Sequence, residues 1–142
     1  MTLKLVADRS CRERSEMAKL ISFMRDYQKL GVWQKAHNLS LEIYKSTAHF
    51  PRNELCGITR QIRISCASIP DKIAEGCNKD GDAELGNHLQ TALSSTNEVE
   101  SHLLHAHDLG YLQHKDYQHL SGELTQLKRS LTNYIHKLRS AN

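Results

Sequence analysis

The sequence has no long apolar run and little proline or glycine. Its apolar stretches are a few residues long, far short of the about 20 that cross a bilayer, so we predict no membrane-embedded segment. No signal core with a small-residue cleavage pattern stands near the start, and we therefore expect a cytoplasmic protein. Two prolines and seven glycines in 142 residues exclude a collagen-like or linker-dominated chain. With 39% apolar and 25% charged residues, the composition is that of one globular domain.

Cysteine is also sparse, and its spacing argues against a zinc site. No two of the four cysteines form a CxxC pair, whereas a structural zinc site needs closely paired ligands; the cysteines are Cys11, Cys56, Cys66 and Cys77. We predict reduced thiols, with Cys56, Cys66 and Cys77 packed at or near the apolar side of a helix. No cofactor is expected.

Residues 80–110 contain no lysine or arginine but six acidic residues. The remaining chain is basic enough to bring the net charge to +3. A protein that binds polyanions over its whole surface would not carry such an acidic stretch. Any nucleic-acid surface is therefore expected outside residues 80–110.

Apolar residues recur at three and four positions over most of the chain, which predicts helices at 32–50, 53–75, 82–109 and 115–139. Four amphipathic helices with short connections pack most simply as an antiparallel, up-down-up-down bundle. We predict this all-α bundle over residues 24–142. Residues 1–23 form an N-terminal extension, either helical through Met17, Leu20, Ile21 and Met24 or upstream of the natural start.

Several single residues refine these predictions. Leu55 falls on the apolar stripe of the second helix, and Pro70 lies within that helix, where a kink is expected. Asp82 suits the N-cap of the third helix, and Gly110 suits the left-handed position after its end. Tyr134 continues the apolar stripe of the last helix.

Histidine is abundant, with nine residues, and raises the question of a metal or catalytic site. Glu98, His102 and His105 are neighbours on one helix surface, but the helical periodicity turns Glu98 and His105 away from the core. A solvated polar face explains them better than a metal site. The chain also lacks the G-x-S-x-G, Walker and G-x-G-x-x-G motifs. We predict neither a metal site nor catalysis.

Basic side chains on the outer faces of the second and fourth helices can contact phosphates, and each neutralised phosphate releases counterions. The alternative is ordinary surface charge, since no aromatic residues for base stacking accompany them. The candidate phosphate contacts are Arg60, Arg63, Lys72, Lys128, Arg129 and Lys137.

Three apolar residues fall outside the single core stripe that each helix needs. Ile64 points about 200° away from the stripe of the second helix at 100° per residue, while Leu93 and Leu104 widen that of the third. Isolated surface apolar residues are common, so the extra apolar surface has an ordinary alternative. We predict that these residues lie in an interface between copies of the chain.

Three separated segments resemble one known family. They are LGVWQKAHNLSLEIYKST at 30–47, ITRQIRISCASIPDKIAEG at 58–76 and ALSSTNEVESHLLHAHDLGYL at 92–112. They look like the bacterial four-helix-bundle proteins encoded in intervening sequences of the 23S ribosomal RNA gene. The chain departs from the family pattern at Ile64, where a second arginine is common, and at Asp71 and Lys72, where Ala-Asn is common.

The resemblance implies a ring-like homopentamer without known catalytic activity that associates with ribosomal RNA or other nucleic acid. Related accessory proteins of diversity-generating retroelements share the fold and work with a reverse transcriptase on RNA. We therefore predict a non-catalytic, homo-oligomeric, RNA-associated protein. The alternative is a scaffold that binds a protein partner and no nucleic acid.

Overall fold

The computed structural model is all-helical over the residues that it describes, which are 9–16, 26–79 and 81–140. Within these ranges there are five α-helices and no β-strand. The helices are α1 (9–16), α2 (Gly31–Thr47), α3 (Ile58–Cys77), α4 (Gly81–Asp108) and α5 (His114–Ser140). Short 3-10 helices span Tyr27–Lys29 and Arg52–Glu54. The predicted all-α class is confirmed.

The four long helices bury the apolar stripes that their sequences predict. On α5 none of the stripe residues is more than 7% exposed; they are Leu120, Leu124, Leu127, Leu131, Ile135 and Leu138. Tyr134 was predicted in the position that Ile135 takes, and it is instead half-buried at the edge of the core. Each buried side chain of this size contributes about 1.5–3 kcal/mol, so burial of the stripes stabilises the packing of the helices.

The connection between α2 and α3 is longer than predicted. α2 ends at Thr47 rather than Phe50, and α3 begins several residues later than expected, at Ile58. Glu54 favours the late start, because its Oε2 accepts the backbone N–H of Ile58 at 3.3 Å and so caps the first turn of α3. Leu55 lies in the connection with 56% of its surface exposed, and its prediction as a core residue is wrong.

α3 and α4 approach each other closely at Gly76. A Cβ on this glycine would lie 2.8 Å from Cβ of His88 and 2.9 Å from Cδ1 of Leu85, both on α4. Such distances are shorter than real Cβ contacts, so only glycine allows the two helices to come this close here.

Pro70 and Asp82 both lie inside helices. Pro70 lies inside α3 and is buried, and the helix extends past it to Cys77. Asp82, predicted as the N-cap of α4, lies in the first turn of that helix instead. Its negative charge there is favourable beside the positive end of the helix dipole.

α4 ends with the left-handed glycine that the sequence predicts. Gly110 has a φ of +81°, and the N–H of Tyr111 donates to the carbonyl of Ala106 at 3.0 Å. The Tyr111 hydroxyl donates to Oε1 of Glu54 at 3.3 Å, and its ring lies 5.8 Å from that of Phe50. These contacts join the α4–α5 turn to the α2–α3 connection. Partial burial and the Glu54 carboxylate raise the pKa of the Tyr111 phenol above its ordinary value of 10.0.

The four long helices contact one another in a closed order. α2 and α4 each pack against α3 and α5, whereas among the described residues no Cα atoms approach within 8 Å between α2 and α4 or between α3 and α5. Each neighbouring helix pair is also joined by polar contacts. Between α2 and α5, Lys35 lies 2.9 Å from Ser130 and Glu42 lies 2.9 Å from His119. The other three pairs have one such contact each: Ser40 to Cys66 at 3.6 Å between α2 and α3, Ser65 to Glu98 at 3.4 Å between α3 and α4, and Lys128 to Glu100 at 2.6 Å between α5 and α4.

The predicted N-terminal extension contributes α1. Within α1 the guanidinium of Arg14 donates to the hydroxyl of Ser10 at 3.1 Å, one helical turn away. The candidate helical residues Met17, Leu20, Ile21 and Met24 lie outside the described residues.

The cysteines occupy two kinds of environment. Cys66 and Cys77 are buried, as predicted, and burial raises the pKa of the Cys66 thiol above its ordinary value of 9.0. Cys11 and Cys56 are exposed. The prediction that Cys56 packs at an apolar stripe is wrong, because Cys56 lies in the α2–α3 connection rather than in a helix.

Candidate nucleic-acid interface

The six predicted phosphate contacts lie on two helices that are not neighbours in the packing order. Three are on α3 and three on α5, and within the described ranges no Cα atoms of these two helices approach within 8 Å. They are Arg60, Arg63, Lys72, Lys128, Arg129 and Lys137. The structure therefore divides the predicted site into two groups of three, rather than gathering it on one surface.

Arg63 is held in place by α2. Its Nε donates to Oγ1 of Thr47 at 3.0 Å, and its guanidinium carbon lies 4.8 Å from the centre of the Tyr44 ring. Thr47 in turn donates to the carbonyl of Ile43 at 2.9 Å, which fixes the acceptor. A guanidinium positioned by a hydrogen bond and a cation–π contact is presented to a ligand with little further ordering.

Arg63 belongs to a group of four cationic residues in the half of the α2–α3 hairpin that lies next to its connection. We call Lys45, Arg52, Arg60 and Arg63 the hairpin patch. None of the four forms an ion pair within the described part of the chain.

The carboxylates of the same region are engaged elsewhere. Glu54 accepts from Tyr111 and from the N–H of Ile58, and Glu42 contacts His119 on α5. Both carboxylates keep their negative charge but form no ion pair with the hairpin patch, and its four cations outnumber them, so the region stays net positive.

Two of the other predicted contacts, Lys72 and Lys128, are electrostatically weaker. Lys72 pairs with Glu75 at 3.2 Å, and Lys128 pairs with Glu100 at 2.6 Å. Each pair has no net charge, which reduces its attraction for phosphate. Arg129 and Lys137 are exposed on α5 and form no ion pair among the described residues.

Lys45 and Arg52 were missed in the sequence. Lys45 lies in the last turn of α2 and Arg52 in the 3-10 helix after it. The positive balance of residues 24–79 was the available signal. The periodicity of apolar residues shows which side chains point away from the core, but it does not show that the end of α2 lies beside the start of α3.

α4 carries a net negative charge. The acidic residues of this helix are Asp82, Glu84, Glu98, Glu100 and Asp108, and it has no lysine or arginine. Because α4 contacts α3 and α5 but not α2, its negative charge is farthest from the α2 surface. α4 is therefore the acidic side of the molecule.

The three predicted interface residues differ in exposure. Ile64 on α3 is 58% exposed and Leu104 on α4 is 46% exposed, while Leu93 is half-buried against the core of its own chain. Leu41 and Tyr44 on α2 are also exposed and were not predicted. The outer surfaces of α2, α3 and α4 thus all carry exposed apolar side chains.

Two open pockets lie along the α2–α5 groove. One of about 200 Å³ is lined by Glu42, Lys45, Ser46, Asp116, His119 and Leu120, and one of about 260 Å³ by Leu30, Gly31, Val32, Lys35, Ser130 and Tyr134. In the ranges that the structure describes, no three His, Cys, Asp or Glu side chains are arranged to hold a metal ion, and this includes Glu98, His102 and His105. None of the described helices combines the length and apolarity needed to span a membrane.

The fold is shared with a solved structure. A crystal structure of a protein of unknown function from the S23 ribosomal protein family of Bacteroides thetaiotaomicron superposes with a TM-score of 0.66 at 24% sequence identity, covering 73% of this chain and 97% of that one. The model of the 23S rRNA-intervening sequence protein family matches residues 28–133. The chain belongs to this family. No curated protein matches it.

Proposed function

We propose that α2, α3, α4 and α5 form an antiparallel, up-down-up-down four-helix bundle. The support is the order of their contacts. Lys35 meets Ser130 and Glu42 meets His119, so residue numbers rise along α2 while they fall along α5. The same inverse order holds for the other three contacting pairs. In this arrangement α2 and α4 lie diagonally opposite each other.

We further propose that the protein is a non-catalytic, homo-oligomeric protein that associates with ribosomal RNA or other nucleic acid. The observation that carries this proposal is the hairpin patch: Lys45, Arg52, Arg60 and Arg63 adjoin the α2–α3 connection and have no ion pair in the described chain. Cations without a carboxylate partner release the most counterions when they bind phosphates. The membership of the 23S rRNA-intervening sequence protein family agrees with RNA as the polyanion.

The geometry also favours contact with the phosphate backbone over reading of bases. Arg63 is stacked on Tyr44, whose ring face is therefore occupied by the guanidinium of the same chain. Stacking of unpaired bases needs free aromatic faces. We therefore expect binding that depends on RNA charge and helical shape more than on sequence.

The experiment is a salt titration of binding to a fragment of 23S ribosomal RNA, followed by fluorescence anisotropy. We expect the double variant Arg60→Gln/Arg63→Gln to bind more weakly and to reduce the slope of log K against log salt by about 2, one for each lost phosphate contact. The matched control is Lys72→Gln/Lys128→Gln, which removes two cations that are already ion-paired. This control should change affinity much less.

Two results would contradict the proposal. Equal losses in the two double variants would mean that the hairpin patch is not the RNA surface. Binding to RNA that is absent, or unchanged between low and high salt, would favour the alternative function, a scaffold that docks a protein through apolar surface. Sedimentation of both variants at the size of the unaltered protein excludes changes of assembly as the cause.

A further inference from the structure

His107 and His114 face each other across the turn between α4 and α5. Nε2 of His107 lies 3.2 Å from Nδ1 of His114, and the ring centres are 5.3 Å apart. One of these nitrogens must carry a proton and the other a lone pair for them to hydrogen-bond. This histidine pair lies outside the hairpin patch and is not part of the proposed RNA surface.

The neighbours of His107 hold its ring in one orientation. Oδ1 of Asp108 lies 3.3 Å from Nδ1 of His107; because a carboxylate only accepts hydrogen bonds, Nδ1–H donates to it and Nε2 has the lone pair. The ring of Tyr117 stacks on that of His107 with a centre-to-centre distance of 4.5 Å. The His107 side chain is 27% exposed, so Nε2 is fixed but reachable. A carboxylate behind a histidine is the usual support of an imidazole that binds a metal.

We propose that His107 and His114 together bind one divalent late first-row transition metal ion, such as Zn²⁺ or Cu²⁺. Two imidazole nitrogens on a tetrahedral zinc, each about 2.0–2.1 Å from the ion, lie about 3.3–3.4 Å apart, close to the separation of this pair. When the ion binds, the proton on Nδ1 of His114 is exchanged through solvent for one on Nε2 of the same ring, so both imidazoles stay neutral and each offers one lone pair to the ion. Imidazole is a preferred ligand of zinc, copper and nickel.

The site offers two ligands from one chain. Because no third His, Cys, Asp or Glu completes a group within the described ranges, water fills the remaining positions. Helical periodicity could not reveal the pair, since the ligands lie on different helices and meet only because Gly110 turns the chain between them.

The test is a calorimetric titration of the untagged full chain with Zn²⁺, in which we expect one ion per chain. His107→Phe keeps an aromatic ring against Tyr117 but removes a ligand, and His114→Gln removes the other; each should lower the association constant by more than about 10-fold. Asp108→Ala should lower it by about 10-fold, because the His107 ring loses its support. His119→Gln, which removes another exposed imidazole beside a carboxylate, is the matched control and should bind as the unaltered chain does.

The outcomes separate clearly. Zinc binding that survives in both histidine variants, or that is lost in the His119 control, overturns the proposal. If His107→Phe fails to fold, His114→Gln decides the matter alone, because His114 is exposed at the start of α5. The electron paramagnetic resonance spectrum of bound Cu²⁺ gives an independent check: coupling to two imidazole nitrogens is expected, and coupling to none contradicts the site.

Discussion

Each cysteine of this protein has a reactivity that its position determines. The thiolate is the reactive form of cysteine, and burial disfavours it. Cys66 lies within the core beside Ser40, and desolvation outweighs that hydrogen bond, so the pKa of its thiol is raised. Cys56 lies 10 residues earlier but outside any helix and in solvent.

We therefore predict that Cys11 and Cys56 react with a thiol reagent in the folded protein, whereas Cys66 and Cys77 react only when the fold opens. The measurement is the time course of labelling at neutral pH, read by mass spectrometry of peptides. Protein unfolded in guanidinium chloride is the control and should label at all four positions. Labelling of Cys66 as fast as Cys56 would show that the core around α3 is not closed.

The periodicity of apolar residues predicts the bounds of some helices well and those of others poorly. The predicted bounds of α4 and α5 agree with the structure within one residue at each end, because Gly110 punctuates the chain between them. The α2–α3 connection was predicted too short. Its form depends on Glu54, which bonds both to Ile58 nearby and to Tyr111, 57 residues away, and no local pattern contains the second contact.

Glycines at two places in these elements should not tolerate a side chain. Gly76→Ala should destabilise the fold by about 1–3 kcal/mol, because the new methyl group meets α4. Gly110→Ala should cost about 1 kcal/mol or more, because alanine strains at a φ of +81°. Gly122→Ala, in the middle of α5 with no heavy atom within 4 Å, is the control and should stabilise by about 0.5–1 kcal/mol. Urea unfolding at one protein concentration measures all three, and a Gly76 variant as stable as the Gly122 variant would contradict the close approach.

The site was less predictable than the fold. The sequence identified Arg60 and Arg63, because helical periodicity alone places both outside the core. The sequence could not show that Lys72 and Lys128 are weaker candidates for phosphate binding, because their ion pairs with Glu75 and Glu100 depend on the folded arrangement. For Lys128 the partner is on another helix, 28 residues away.

At the scale of the whole molecule, the exposed apolar residues predict self-association. We expect the unaltered protein to sediment as an assembly, with five copies of the 16.2 kDa chain as the proposed number. Ile64→Glu should shift it toward smaller species, because a charge on an apolar interface loses its hydration. Gln61→Glu adds the same charge at a nearby exposed position of α3 and is the control. A single-chain mass for the unaltered protein would refute the assembly.

The acidic charge of α4 and the positive balance of the rest of the chain also give the protein an electric dipole with its negative side at α4. In the field of a polyanion such a dipole experiences a torque that turns α4 away before any contact forms. The Debye length of about 10 Å at 0.1 M salt is close to the width of one helix, so at that ionic strength the two sides act as separate poles. Under the proposed function, collisions with RNA are thus oriented in advance, and a larger share of them begin with α4 facing away from the RNA.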